Sequence, residues 1–284
     1  MSEKISNTAI GIIVIIGIGA FFGGLGAGYG LLGGGIQQST LSIAGSTTVL
    51  PIAQDAADSY MENRPWLDIQ VSGGGSSTGI SSAGQNQVDI GMASRDIKPA
   101  ETSSYPNLVK HTIAADGIAI IMNNGTPTAD VTELTLAELE DIYDGNVTNW
   151  NQVGSSTSTT ITLFGRYSSS GTRATFDELV LNDGDPVGTM QQMASNGAVL
   201  ENVASTPGAI GYVGLGYVDE NVITPLDIDG VAPTAATVGD GSYPISRNLY
   251  MFTTNSPTGV AADFLNFILS PTGQQIVIAN GFVN

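Results

Sequence analysis

Apolar positions along the body of the chain switch repeatedly between two periods. Leu67-Asp68-Ile69-Gln70-Val71 alternates apolar and polar residues, which predicts a half-buried strand. Val88, Ile90 and Met92 repeat that period. Gly117-Ile118-Ala119-Ile120-Ile121-Met122 is apolar throughout and predicts a strand covered on both faces. Between these runs the spacing becomes helical. Ile52, Ala56 and Tyr60 share one face behind Pro51, a residue well suited to a first helical turn. Thr135-Leu136-Ala137-Glu138 forms a capping box ahead of Leu139, Ile142 and Tyr143, with Gly145 as the stop. Phe264, Leu265 and Ile268 mark a C-terminal helix. Strands alternating with helices predict an α/β protein. Residues 155–160 are a Ser/Thr-rich surface loop, and there is no internal repeat.

A different pattern precedes this body. Residues 8–34 carry no charge and include Ala9-Ile10-Gly11-Ile12-Ile13-Val14-Ile15-Ile16-Gly17-Ile18. The run is long enough to cross a bilayer, which takes about 20 apolar residues. Two readings stand. A signal peptide would be cleaved among the small residues between Gly24 and Gly30. An uncleaved anchor, the preferred reading, would have only Lys4 on its inner side. Either way the remainder is exported, and residues 1–37 are anchor or signal segment plus a polar, Gly-rich tether. The same apolar helix offers a surface for homo-assembly.

The chain has 284 residues, enough for two lobes of ordinary size. With 26 acidic and 8 basic residues its net charge is −18, which excludes a general nucleic-acid binder needing a basic stripe. There is no cysteine, so disulfides, thiolate metal sites and a cysteine nucleophile are excluded. His111 is the single histidine, at the start of a predicted strand, where it reads as a surface or supporting residue. One histidine and no evident two-metal cluster leave hydrolytic enzymes without their usual machinery, so neither a metal nor a cofactor is expected.

Candidate chemistry lies in three segments of one design: a strand, then glycines and small hydroxyl residues, then a helix. They are Gly45-Ser46-Thr47-Thr48-Val49-Leu50-Pro51, Ser72-Gly73-Gly74-Gly75-Ser76-Ser77-Thr78-Gly79, and Gly165-Arg166-Tyr167-Ser168-Ser169-Ser170-Gly171-Thr172-Arg173. Free N–H groups at a helix start favour an anion, and hydroxyls add donors without charge. A single such turn is more often a plain cap. Three of them, in a chain with only five arginines of which two flank the third turn, point to an oxyanion. Arg166 is the leading cation. Arg95 ends a strand after Gly91-Met92-Ala93-Ser94, while Arg173 and Arg247 are equally readable as structural partners of carboxylates.

These segments, in this order, resemble the phosphate-binding proteins that serve the high-affinity phosphate ABC importer, over nearly all of residues 41–284. Val88-Asp89-Ile90-Gly91-Met92-Ala93-Ser94-Arg95, Asp116-Gly117-Ile118-Ala119-Ile120-Ile121, Thr148-Asn149-Trp150, Pro207-Gly208-Ala209-Ile210-Gly211-Tyr212-Val213 and Tyr243-Pro244-Ile245-Ser246-Arg247 extend the resemblance. It implies a type II periplasmic-binding-protein fold with a ligand cleft between two lobes, expected at 38–122 plus 224–284 and at 123–223. It also implies a non-catalytic receptor for inorganic phosphate, permease subunits of an importer as partners, and a place on the outer face of the cytoplasmic membrane or the cell surface of a prokaryote, archaea included. The ligand set it implies is Thr47, Thr48, Ser76, Arg95, Arg166, Ser170, Gly171 and Thr172. Some members have an aspartate where Arg95 stands, accepting the ligand's proton. Here that acceptor is open between Asp96 and Asp116. The donors alone would also accept sulfate, molybdate or tungstate, and a filament or coat protein assembled through the N-terminal helix is the alternative class.

Overall fold

A computed structural model describes residues 38–125 and 130–284. The anchor, its cleavage, the tether and assembly through the apolar run all concern residues outside the described ones.

The first half starts with three parallel strands separated by helices. β1 (Ser39–Gly45) leads into α1 (Leu50–Met61), β2 (Leu67–Gly73) into α2 (Ser76–Gly84), and β3 (Ile90–Ala93) into α3 (Pro99–Ser104). α1 has its proline in the first turn and buries Ile52, Ala53, Ala56, Ala57 and Tyr60. Where the alternating sequence predicts one buried face, β3 is buried at all four residues. It lies inside the sheet, between β1 and an antiparallel strand from the C-terminal part of the chain, with α2 against it. The α2 contact is close because both partners are glycines: a Cβ on Gly79 would stand 2.2 Å from the Met92 carbonyl oxygen, and one on Gly91 2.1 Å from that of Gly79.

The long strand β4 (Leu108–Asn123) ties the two halves together. The second half adds β5 (Glu133–Leu134), α4 (Leu136–Asp144), β6 (Thr162–Arg166), α5 (Gly171–Leu179), β7 (Gln191–Met193), α6 (Asn196–Ser205), β8 (Ala209–Gly214), β9 (Ile223–Ile228) and α7 (Ala235–Gly239). The chain then returns through β10 (Ser246–Thr254), α8 (Gly259–Ile268) and α9 (Pro271–Ala279). Up to Gly117, β4 pairs antiparallel with β10; from Ile118 onward it pairs with β8 and β9. The strand order along the main path is β2-β1-β3-β10-β4-β8-β6-β7. The predicted apolar strand at 117–122 is thus the far half of β4, and α4 carries its capping box and a left-handed stop at Gly145, φ +83°.

The buried apolar residues divide at the same point. One core joins Leu41, Ile43, Ile52, Ile90, Leu249, Phe264 and Ile268 beneath α1, α8 and α9. Another joins Ile118, Ile120, Leu139, Trp150, Phe176 and Tyr212. Leu226, Ile228, Val238, Tyr243 and Ile245 pack in that second core, although they follow residue 223. Where β4 crosses from one core to the other, Asp116 sits opposite Arg247 of β10 in register.

Gly79→Ala is expected to lower unfolding stability by about 2 kcal/mol or more, because the helix must lift from β3 to admit a methyl group. Gly188→Ala has open space around it and is expected to stay within about 0.5 kcal/mol of the parent. Urea unfolding followed by circular dichroism compares the two.

Candidate functional site

Each of the three strand-turn-helix segments is held by its own local bonds. In the first, Gly45 has φ +140°, and a Cβ there would stand 2.2 Å from the Met92 carbonyl oxygen, so only glycine lets β1 turn against β3. The buried Ser46 hydroxyl accepts from the N–H groups of Thr48 and Val49 at 3.2 and 3.4 Å. In the second, Ser76 opens α2, is wholly buried, and accepts from the Ser94 N–H at 3.0 Å. In the third, Ser170 caps α5 by accepting from the Arg173 N–H at 3.3 Å. An aromatic floor supports that turn: Phe176 and Tyr212 stack at 4.1 Å, and the Tyr212 hydroxyl accepts from the Arg166 N–H at 3.1 Å.

The fold brings these turns into contact. Thr48 and Thr172 share a hydrogen bond between hydroxyls at 3.1 Å. The Ser77 N–H donates to the Ser169 carbonyl at 3.1 Å. A Cβ on Gly171 would stand 2.3 Å from the Ser76 hydroxyl oxygen and 2.6 Å from that of Ser94. Thr47, Thr48, Ser76, Ser170, Gly171 and Thr172 therefore lie in one buried cluster.

Two arginines reach into it. Arg166, 2 % exposed at the end of β6, donates through Nη2 to the Thr47 hydroxyl and the Ala194 carbonyl, both at 3.1 Å. Arg247 comes from β10 and donates through Nη2 to the hydroxyls of Thr48 at 3.2 Å and Thr172 at 3.0 Å. Its Nε and Nη2 also bind Oδ2 of Asp116 at 3.1 and 2.7 Å. Among the described residues, Nη1 of Arg166 and Nη1 of Arg247 are the two buried side-chain polar atoms with no hydrogen-bond partner. A buried donor left unpaired is costly, more so on a charged group. Burial pulls the Arg166 guanidinium down to about 10, with Arg247 adding repulsion, so it stays charged at neutral pH. Burial also lowers Arg247 and raises the Asp116 carboxyl, against the attraction between them.

Other expected residues lie elsewhere. Arg95 is buried but committed: it forks onto both carboxylate oxygens of Glu101 at 2.6 and 2.8 Å and also donates to the Ser77 hydroxyl and the Asp96 carbonyl. Asp96 turns outward and pairs with Lys110 at 2.7 Å, its side chain 56 % exposed. Both line a separate surface cleft of about 490 Å³ with Lys98 and Asp177. Asp116 is the carboxylate candidate that the fold brings beside the cluster. Arg173 has a structural role, with Nε on Asp177 and Nη1 on the Arg166 carbonyl. His111 lies on β4 and hydrogen-bonds Thr253 at 2.9 Å.

Residues 33–272 match the PBP superfamily domain. The phosphate-binding protein PstS of Bacillus subtilis is 36 % identical over 243 residues, spanning 86 % of this chain and 79 % of that protein. The PstS of Borreliella burgdorferi is 31 % identical, over 87 % of this chain and 90 % of its own. The chain belongs to the PstS family of phosphate-binding proteins. Among solved structures, a phosphate ABC transporter substrate-binding protein from Clostridium perfringens, with bound phosphate, superposes with a TM-score of 0.80 at 33 % identity, covering 87 % of this chain and 99 % of that one.

Two members of the cluster escape the sequence reading as donors. Arg247 appears there only as a scarce cation, without a place at the turns. Asn196, fully buried in the first turn of α6, donates to the Thr48 hydroxyl at 3.0 Å, and its Oδ1 accepts from the Gly214 N–H at 3.4 Å. The available signal for Asn196 was its place behind the Ser195 cap, a fourth helix start.

The two arginines differ in what their loss leaves behind. Arg247→Met strands the buried Asp116 and is expected to cost about 3–5 kcal/mol of stability in anion-free buffer. Among the described residues Arg166 pairs with no carboxylate, so Arg166→Met is expected to cost at least about 2 kcal/mol less. Denaturant midpoints of the two variants test that ordering.

Proposed function

We propose that this chain is an extracytoplasmic solute-binding protein that captures inorganic phosphate at the Thr47–Thr48 cluster and delivers it to an ABC importer. The observation that carries the reading is the pair of buried guanidinium nitrogens, Arg166 Nη1 and Arg247 Nη1, that no protein group satisfies. A tetrahedral oxyanion supplies the charged acceptors both require. Hydroxyls of Thr47, Thr48, Ser76, Ser170 and Thr172 and the backbone N–H of Gly171 would complete its shell, at the starts of α1, α2 and α5. Arg95 has no part in this proposal, because its fork already belongs to Glu101.

A net charge of −18 makes the long-range field repulsive to phosphate. Affinity must come from short bonds in a buried site, where hydrogen bonds to a charged group contribute roughly 1.5–3 kcal/mol each. We place the lobe boundary where the cores divide, at Gly117/Ile118 on β4 and Ile245/Ser246 before β10, so that phosphate would bridge the lobes from Arg166 on one side to Thr47, Ser76 and Arg247 on the other. Relatives named as phosphate-binding proteins and transport receptors support a receptor without catalysis. In this proposal residues 8–34 hold the receptor at the outer face of the cytoplasmic membrane.

Calorimetric titration of the full chain with phosphate and with sulfate tests the reading. Phosphate is expected to bind more tightly than sulfate, and Arg166→Ala to weaken phosphate by about 2 kcal/mol or more, roughly thirtyfold. Ser170→Ala, which removes one neutral donor, is expected to cost less. Absence of phosphate binding, or an Arg166→Ala variant that binds phosphate like the parent, contradicts the proposal.

A further inference from the structure

We infer that the turn at Gly75–Ser77 and the Ser169 carbonyl form a clasp between the halves, that Arg95 holds it in position, and that release of phosphate waits on its opening. This inference rests on the phosphate reading and the lobe boundary proposed above. It concerns how the ligand leaves, a step in which Arg95 touches Ser77 and not the anion.

The clasp lies between the buried cluster and solvent. Ser76 and Ser170 are 0 % and 3 % exposed, whereas their neighbours Ser77 and Ser169 are only half-buried. The Ser77 N–H belongs to the first turn of α2, whose N–H groups find no partner inside the helix. It donates across the proposed boundary to the Ser169 carbonyl at 3.1 Å, so it is committed to the opposite half and not to the anion. Gly75 makes the approach possible. Its φ is +92°, and a Cβ there would stand 2.9 Å from the same Ser169 carbonyl oxygen. The Gly75 N–H is itself anchored on the Gly45 carbonyl at 2.9 Å, which ties the clasp to the first of the three turns. On the other side, the Ser170 N–H closes the turn beneath Ser169 by donating to the Tyr167 carbonyl at 3.0 Å.

Arg95 is a buried cation that reaches none of the cluster's proposed donors, and the clasp explains its place. Its Nη2 donates to the Ser77 hydroxyl at 3.0 Å and to Oε1 of Glu101 at 2.6 Å, while Nη1 holds Oε2 of Glu101 at 2.8 Å. Glu101 is fixed in turn by the Lys98 N–H at 2.8 Å. A planar fork seated on both oxygens of a carboxylate has little freedom to rotate, so it fixes the Ser77 side chain and with it the direction of the Ser77 N–H. Arg95 acts through another residue and is therefore a positioning residue. It also lines the surface cleft in which Lys98 from one half meets Asp177 and Glu178 from the other, so this edge is where the halves part toward solvent. A bond whose ends lie on different halves must break before they separate, and one neutral hydrogen bond shifts such an opening by about fivefold.

The test measures phosphate exchange on the full chain: protein loaded with radiolabelled phosphate is mixed rapidly with excess unlabelled phosphate, and association of the label is timed separately. Ser77→Ala and Arg95→Met are each expected to speed release by about three- to fivefold without slowing association. The double variant is expected to release no faster than Arg95→Met alone, because both changes remove one coupling. Gly75→Ala, which pushes a methyl group against the Ser169 carbonyl, is expected to speed release by about tenfold or more. Parent-like release in Ser77→Ala and Arg95→Met overturns the inference, whether or not Gly75→Ala folds. So does faster release matched by equally slower association, which marks a damaged ligand shell, or a double variant whose effects multiply. A parent that takes up no labelled phosphate overturns the functional reading instead.

Discussion

Two guanidinium groups are buried with one nitrogen each unpaired, and much of the rest of the structure serves to hold them there. An arginine cannot shed its charge near neutral pH, so burying it is tolerable only with acceptors around it. Arg247 has Asp116. Arg166 has backbone carbonyls and the Thr47 hydroxyl. What each lacks is one acceptor, and the two vacant donors belong to groups that converge on neighbouring residues, Thr47 and Thr48. An oxyanion bound as proposed would remove both penalties together, and ligand and fold would then stabilise each other.

The architecture follows from that need. Parallel strands deliver helix starts at their C-terminal ends, and three of these, with their glycines and hydroxyls, meet at the buried arginines, where they would make the shell of the proposed site. Gly45, Gly79, Gly91 and Gly171 allow backbone and hydroxyl groups to approach more closely than a methyl group would permit. The long strand β4 contributes to both cores and carries Asp116 at the crossing. The buried Asp116–Arg247 pair thereby lies at the point where the chain passes from one half to the other.

How far the sequence reveals this depends on the reach of each interaction. The turns at Thr47, Ser76 and Ser170 are legible because caps and glycines act over three or four residues. Capping boxes, the proline at the start of α1 and the doubly covered half of β4 are legible for the same reason. Arg247 and Asn196 are not, because their roles come from contacts with residues 199 and 148 positions away in sequence. β3 reads as half-buried from its alternation, yet its insertion between β1 and β10 covers both faces. Arg95 looks like a ligand cation because it ends a strand. Glu101, which also accepts from the Lys98 N–H at the start of α3, claims it at 2.6 Å.

The most direct measurement is a crystal structure of the protein grown with phosphate. The account predicts one phosphate with separate oxygens about 2.7–2.9 Å from Nη1 of Arg166 and from Nη1 of Arg247, and Arg247 still paired with Asp116. A phosphate bound elsewhere, or bound here with either Nη1 turned away from it, would contradict the account.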